Sequence, residues 1–376
     1  MTQSKFEKKE AAAGRKKLWI RLTHICNNDC VFCLDQKNQN GKVIEYAVIL
    51  EQLRKGRKEK YERVVLSGGE PTLHPKLKEV IRAAKGMGYA HVQIITNGRM
   101  LAYPKFAKEL KDAGLDEITF SMHAHTKELL EKITRIKGSH IQAMSGLKNA
   151  LENKFIVSVD IVINRTNYKY LREIMEFFIR FGITEFDLLY LIPFGSAWEN
   201  WKEVIYSQKS GAKYLEKALE LDKDPNVFIW TNRLPARLLE GHEDLIQTPV
   251  KLKDDLAGMQ EMFERYVKED EMMSCRGKRC RSCVMHDFCD DLVSLKNEGE
   301  IKSCPNPKCI REKRKEKKYI YRGKNFDLFA FADFFIQERY FVKSLRCATC
   351  VHDKNCSGVW IEDVRQKGFN ILKPKN

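Results

Sequence analysis

Six β-branched runs, separated by stretches long enough to cross back over a sheet, dominate the first half of this chain. They read LWIRLT (18–23), RVVLS (63–67), HVQIIT (91–96), EITFSM (117–122), IVSVDIVI (156–163) and FDLLYLI (186–192). Between them, segments such as 76–87, 104–113, 141–154 and 169–181 carry apolar residues at the helical period. Strands joined by crossover helices pair in parallel. The pattern predicts an α/β fold, a partial (β/α)6 TIM-like barrel over residues 18–195 with a cysteine-rich C-terminal extension. The runs are apolar almost throughout, which predicts a sheet covered on both faces. Chemistry in such a fold belongs at the carboxyl ends of the strands.

The remaining chain divides by composition. Residues 1–17 form a basic N-terminal segment, and 196–272 a helical bridging or capping segment around one strand-like run, VFIWTN (227–232). Residues 273–376 are the cysteine-rich part. Within 228–247, Trp230, Asn232, Arg233, Glu240, Asp244 and Gln247 read as a segment that closes over the barrel mouth and contacts substrate, or as an ordinary charged surface. The formal charge of +16 fits RNA or another acidic partner, but lysine and glutamate alternate along most segments, as on a generally charged surface. The basic run from Arg311 to Lys318 reads as a solvated helix face or linker before a binding site. The charged N-terminus lacks the apolar core of a signal peptide, and no apolar run reaches the ~18–20 residues of a membrane span. A cytoplasmic protein without membrane contact is expected. Only 17 residues precede the first predicted strand, too few for a cobalamin-binding or peptide-recognition domain there.

The cysteines are unevenly placed. Of twelve, three lie at 26–33, none between 34 and 274, and nine from Cys275 to Cys356. A reducing compartment disfavours disulfides, and scattered core cysteines would not cluster, so metal ligation accounts best for both groups. Cys26-x3-Cys30-x2-Cys33 follows the first strand directly. Thiolates are soft ligands for zinc or iron–sulfur clusters, and three of them on a four-iron cluster leave one iron open to chemistry. After the second strand comes Ser67-Gly68-Gly69-Glu70-Pro71, where glycines allow close backbone approach and a carboxylate can meet an ammonium. Thr96-Asn97-Gly98, then Ser121, His123 and His125, then Asn164 and Asn167, end the next three strands. Each of these is equally readable as a loop polar residue or helix cap.

The three-cysteine motif, with Phe32 before its third cysteine, resembles the signature of radical S-adenosylmethionine (SAM) enzymes, and the resemblance extends over roughly residues 16–192. It implies that Cys26, Cys30 and Cys33 hold a [4Fe-4S] cluster whose open iron is chelated by SAM. Reductive cleavage then yields a 5′-deoxyadenosyl radical that abstracts hydrogen from a substrate, with flavodoxin or ferredoxin as electron donor. It further implies that Gly68, Gly69 and Glu70, with Phe32, Pro71 and Asn97, contact the cofactor, that Ser121 and Asn164 lie near its ribose or carboxylate, and that the sixth strand's backbone lies near the adenine. The C-terminal part is similar to SPASM and twitch extensions, which implies one or two auxiliary clusters on Cys275, Cys280, Cys283, Cys289, Cys304, Cys309, Cys347, Cys350 and Cys356. Cys280-x2-Cys283-x5-Cys289 recurs as Cys347-x2-Cys350-x5-Cys356. The longer family pattern fails at Val293 and Trp360, so the ligand pairing stays open, as does a zinc-knuckle alternative. By analogy the substrate is a ribosomally made peptide or protein. RNA modification and small-molecule biosynthesis are the enzymatic alternatives, and a non-catalytic iron–sulfur carrier or zinc adaptor the third.

Overall fold

The computed structural model describes Glu7, Ala11 and residues 17–307, 309–310 and 314–374. Nearly all of the basic N-terminal segment, and residues 311–313 of the basic run, lie outside these. The chain separates into two compact units, Met1–Asn232 and Arg233–Asn376.

The first unit is an open parallel sheet of seven strands in chain order: β1 (Lys17–Thr23), β2 (Arg63–Gly68), β3 (His91–Thr96), β4 (Glu117–Ser121), β5 (Ile156–Val162), β6 (Glu185–Leu189) and β7 (Phe228–Asn232). Helices α1 (Tyr46–Lys58), α2 (Leu77–Gly86), α3 (Pro104–Asp112), α4 (Lys127–Thr134), α5 (Ser139–Glu152), α6 (Leu171–Ile179) and α7 (Gln208–Leu219) make the crossovers. The expected β/α alternation is present with one strand more than the six-stranded reading. VFIWTN, placed by composition in a bridging segment, is the seventh strand and pairs along β6 from Glu185–Phe228 to Leu189–Asn232.

The expectation of a sheet apolar on both faces needs correction. Ile118, Phe120, Val159, Ile161, Phe186, Leu188 and Ile229 are fully buried on one face. Their alternates along the strands include Gln93, Glu117, Thr119, Ser158, Asp160, Glu185 and Asp187. The period of two is there in the sequence, but neighbouring valines and isoleucines mask it. Several of these polar groups pair with one another. Arg63 and His91 reach Glu117 at 3.1 and 2.7 Å, Gln93 reaches Glu117 and Thr119 at 2.8 and 2.7 Å, and Thr119 meets Ser158 at 2.8 Å.

The second unit packs α8 (Gln260–Glu269), α9 (His286–Glu298) and α10 (Leu328–Glu338) around Phe263, Phe288, Phe331 and Phe335. Asp327 caps α10 by accepting from the amides of Phe329 and Ala330 at 2.9 and 3.0 Å. Two short antiparallel pairs complete it: β8 (Glu300–Lys302) with β9 (Lys318–Ile320), and β10 (Phe341–Val342) with β11 (Val359–Trp360).

Candidate active site at the strand ends

The cysteine loop leaves β1 and is fastened from several sides. The Asp29 and Val31 amides donate to the carbonyls of Thr134 and Ile133, at the end of α4. Asn200 donates to the Val31 carbonyl at 3.0 Å, and the Ser196 amide to the Cys33 carbonyl at 2.9 Å. Gly195 makes that last approach possible: a Cβ there would stand 2.4 Å from the Cys33 oxygen. Arg21 closes the loop's far end with a two-pronged bond to Asp35 at 2.5 and 2.9 Å.

Within the loop, the Cys33 amide donates to the Cys30 carbonyl at 3.0 Å, the Asn28 amide points at Cys26 Sγ (3.4 Å) and Gln39 at Cys33 Sγ (3.5 Å). Burial, with the charge of Glu70 and Cys33 adding to it, pushes the Cys26 thiol up to about 11. Burial first, then Cys26 and Cys33, raises Cys30 well above the ordinary thiol range, and Cys33 is raised mainly by burial. Three crowded, desolvated thiols of this kind become thiolates most readily around a positively charged metal group. Among the described residues no three His, Cys, Asp or Glu side chains converge on a point that one ion could share. A cluster asks for no such convergence, since each of its irons takes its own thiolate. The donor set fits a cluster with three protein ligands.

Glu70 is where the structure departs furthest from the expected role. It is 1% exposed, and its carboxylate accepts from the Thr72 amide (3.1 Å), the Thr72 hydroxyl, the Thr96 hydroxyl (2.6 Å) and the Asn97 amide (2.8 Å). Burial raises its pKa, and these four bonds oppose the rise. Glu70 therefore ties the ends of β2 and β3 together. It also caps the short turn Pro71–Leu73, which is the part Pro71 plays. Gly68 and Gly69 likewise approach protein backbone. A Cβ on Gly69 would lie 2.2 Å from the Ile25 oxygen, and the Gly69 and Glu70 amides donate to Thr23 and Ile25. The motif welds the second strand's end to the start of the cysteine loop.

Asn97 reaches Asn27 at 2.7 Å, and beside it stands a residue that sequence reasoning missed. Arg99 donates to the Asn27 carbonyl, to Asn28 Oδ1 at 3.0 Å and to Gln142 at 2.7 Å. Its charge opposes the rise of the Cys26 thiol. The only hint in the sequence was an arginine directly after a turn glycine at a strand end.

The β4 and β5 ends interlock. His123 is 5% exposed, neither solvent-facing nor open to substrate, and sits edge-on to Phe32 at 4.8 Å. Its Nδ1 accepts from the Val162 amide at 3.2 Å, and burial holds the ring down to about 4, against a backbone bond to Asp160 that favours the charged form. Asn167 donates to the carbonyls of His123 and Val162, and accepts from the Asn164 amide. Asn164 turns its own side chain on Val162 and Thr166, as a loop cap does. His125 is half-buried between Tyr170 and Phe177. Ser121, at the end of β4, is half-buried.

In the second unit the loop's turn recurs twice. The Cys283 amide donates to the Cys280 carbonyl at 3.0 Å and the Cys350 amide to the Cys347 carbonyl at 2.9 Å. Gly277 and Gly358 amides donate to Cys280 and Cys356 Sγ, both at 3.3 Å. Past the turn the repeat diverges: Cys289 lies on α9, whereas Cys356 follows an irregular turn. Burial, then Cys283, Cys275 and Cys280, pushes Cys289 up to about 12, so these four thiols are mutual neighbours. Cys347 is raised by burial, with Cys356, Cys309 and Cys350 adding. Cys304 is buried, its amide is bonded to the Glu338 carbonyl, and its charge acts on Arg339. Arg233 and Glu240, readable from the sequence as substrate contacts or as ordinary surface charges, are engaged within this unit: Arg233 with Asp255, and Glu240 with Ser344 and Arg346, both at 2.6 Å. Trp230 belongs to β7 and donates to Glu185 at 2.8 Å.

A parallel α/β sheet that gathers three thiols after its first strand defines a cluster-binding class of protein. Residues 20–178 match the Radical SAM superfamily, a family that takes SAM and a [4Fe-4S] cluster. A probable GTP 3′,8-cyclase of Saccharolobus islandicus (strain Y.N.15.51 / Yellowstone #2) is 34% identical over 180 residues, 47% of this chain and 58% of that protein. One from Metallosphaera sedula is 32% identical over 209 residues, 54% and 62%. The chain thus spans less than two thirds of these relatives' own length. Among solved structures, HydG, a maturase of the [FeFe]-hydrogenase, aligns with TM-score 0.50 at 15% identity, over 64% of this chain and 57% of that one. Streptococcus suis SuiB bound to its precursor peptide SuiA aligns with TM-score 0.49 at 15% identity, over 96% and 76%. Among the described residues no helix is long and apolar enough to cross a membrane.

Proposed function

We propose that this chain is a radical SAM enzyme that acts on a peptide or protein. The observation that carries the reading is the fastened loop of Cys26, Cys30 and Cys33, with Gly68 to Glu70 bonded directly against it. When bound, the cluster supplies an open iron and an electron for cleaving SAM to a 5′-deoxyadenosyl radical. The protein's own work is to hold three thiols in place, aim backbone N–H groups at their sulfurs and keep water from the loop with Phe32 and His123. Glu70 organises the SAM side of the site through Thr96 and Asn97. The Gly69 carbonyl, which accepts nothing among the described residues, is better placed than the saturated Glu70 carboxylate to meet an ammonium.

In the second unit Cys275, Cys280, Cys283 and Cys289 form one auxiliary ligand set and Cys309, Cys347, Cys350 and Cys356 another, with Cys304 spare. The support is the repeated turn, together with the charges of Cys283, Cys275 and Cys280 acting on Cys289 and those of Cys356, Cys309 and Cys350 on Cys347. A low-potential donor of flavodoxin or ferredoxin type supplies the electron, and the protein works in the cytoplasm.

The named relatives favour a second reading, a small-molecule reaction on GTP. The carboxylates on the polar sheet face oppose a triphosphate there. The deciding experiment is anaerobic reconstitution with SAM and dithionite, and quantification of 5′-deoxyadenosine by mass spectrometry with and without candidate peptides or GTP. Product that disappears in the Cys26→Ala, Cys30→Ala, Cys33→Ala variant is expected. No product under any addition, from a fully loaded protein, would overturn the reading.

A further inference from the structure

The polar face of the sheet carries a charge pattern that the cysteine loop does not explain. Ser121 stands in register with Asp160, Asp160 with Asp187, and Asp187 with Trp230, one row across β4 to β7. Register partners on neighbouring parallel strands share a face roughly 5 Å apart. All four are half-buried; Ser121 is the last residue of β4, while Asp160, Asp187 and Trp230 lie within β5, β6 and β7, so the row runs from one strand end into the body of the sheet.

Acceptors outnumber donors here. The Asp160 carboxylate takes no hydrogen bond and joins no ion pair among the described residues. Burial, then Asp187, holds its carboxyl well above the usual carboxylate range, with Glu117 and Glu185 adding and Lys17 opposing. The Arg63 guanidinium on the same face is already paired with Glu117. In the layer beneath, Gln93 is 9% exposed and spends its amide nitrogen on Glu117 and Thr119, while its buried Oε1 meets no donor. Trp230 gives its N–H to Glu185, which leaves the ring face for a cation. The Asp160 carboxylate and Gln93 Oε1, acceptors without donors on a face that also carries an indole, are completed by a donor-rich positive group.

We propose that the row Ser121, Asp160, Asp187 and Trp230 binds a positively charged group of the substrate, an alkylammonium or guanidinium. This names the substrate chemistry of the proposed radical site and rests on that reading. The charge can arrive on a peptide side chain or on a free amine, and the same acceptors serve both.

The test is a binding titration by saturation-transfer NMR on the anaerobically reconstituted full chain with SAM. Its probes are the blocked tripeptide Ac-Ala-Lys-Ala-NH2, its Gln and Glu counterparts, putrescine and GTP. The lysine peptide or putrescine should bind about tenfold tighter than the glutamine peptide, and whichever binds tighter identifies the source of the charge. Asp160→Asn combined with Asp187→Asn should abolish that preference while leaving the thermal midpoint at or above the parent's, since like charges are removed. Asp187→Asn alone serves if the double variant does not fold. Equal binding of the lysine and glutamine peptides, a preference that survives the substitutions, or tightest binding by GTP would overturn the proposal. The two readings fail separately: SAM cleavage without a cation preference sinks only the row, and a cation preference without SAM cleavage sinks only the radical reading.

Discussion

At the scale of single residues, the site is held by groups that touch the cysteine loop without being ligands. Arg99 makes two bonds to the Asn27–Asn28 segment and lies close enough to Cys26 for its charge to favour the thiolate. Arg99→Gln should destabilise the fold by about 1–3 kcal/mol and lower the potential of the loaded cluster. Arg99→Lys should recover the potential more than the stability, because the charge returns without the planar fork. Denaturant titration and an EPR-monitored redox titration read the two effects apart. His123 gives a pH prediction of definite sign. Its folded pKa is held down to about 4 from an unfolded value near 6.5, so between those values the unfolded state binds more protons. Stability is therefore unaffected above about pH 6.5 and falls by about 3 kcal/mol as pH drops to about 4. Denaturation midpoints measured across that range should show this slope in the parent and not in His123→Phe.

At the scale of elements, two strand ends and three turns carry the arrangement. Gly69→Ala puts a Cβ against the Ile25 carbonyl, where backbone cannot yield, and should cost about 3 kcal/mol or more. Gly41→Ala, at φ +78 with nothing within 4 Å, should cost only the left-handed penalty of about 1 kcal/mol. Chemical denaturation of both variants checks the contrast. Among the second unit's cysteines, Cys304→Ser should keep the full iron content, whereas Cys309→Ser or Cys356→Ser should each lose about four irons by metal analysis. Equal losses in all three would mean that Cys304 is a ligand.

At the scale of the whole molecule, a fragment ending at Asn232 should fold and bind about four irons, against about twelve for the full chain, if each ligand set takes one cluster. Iron and sulfide analysis of both would decide it. The β/α alternation and the thiol loop were legible from the sequence because each depends on local order: strand and helix periods, and ligands a few residues apart. The seventh strand was visible as VFIWTN but not as a member of the sheet, since pairing with β6 is a long-range choice. The same holds for Glu70, whose four donors come from Thr72, Thr96 and Asn97, and for Arg99, whose partners in the cysteine loop lie some seventy residues back. What the sequence by itself determined was the kind of fold and the metal chemistry. Only the tertiary structure decided which polar residues brace the loop, which cysteines are neighbours and which carboxylates share a face, because those relations arise from packing of segments distant in the chain.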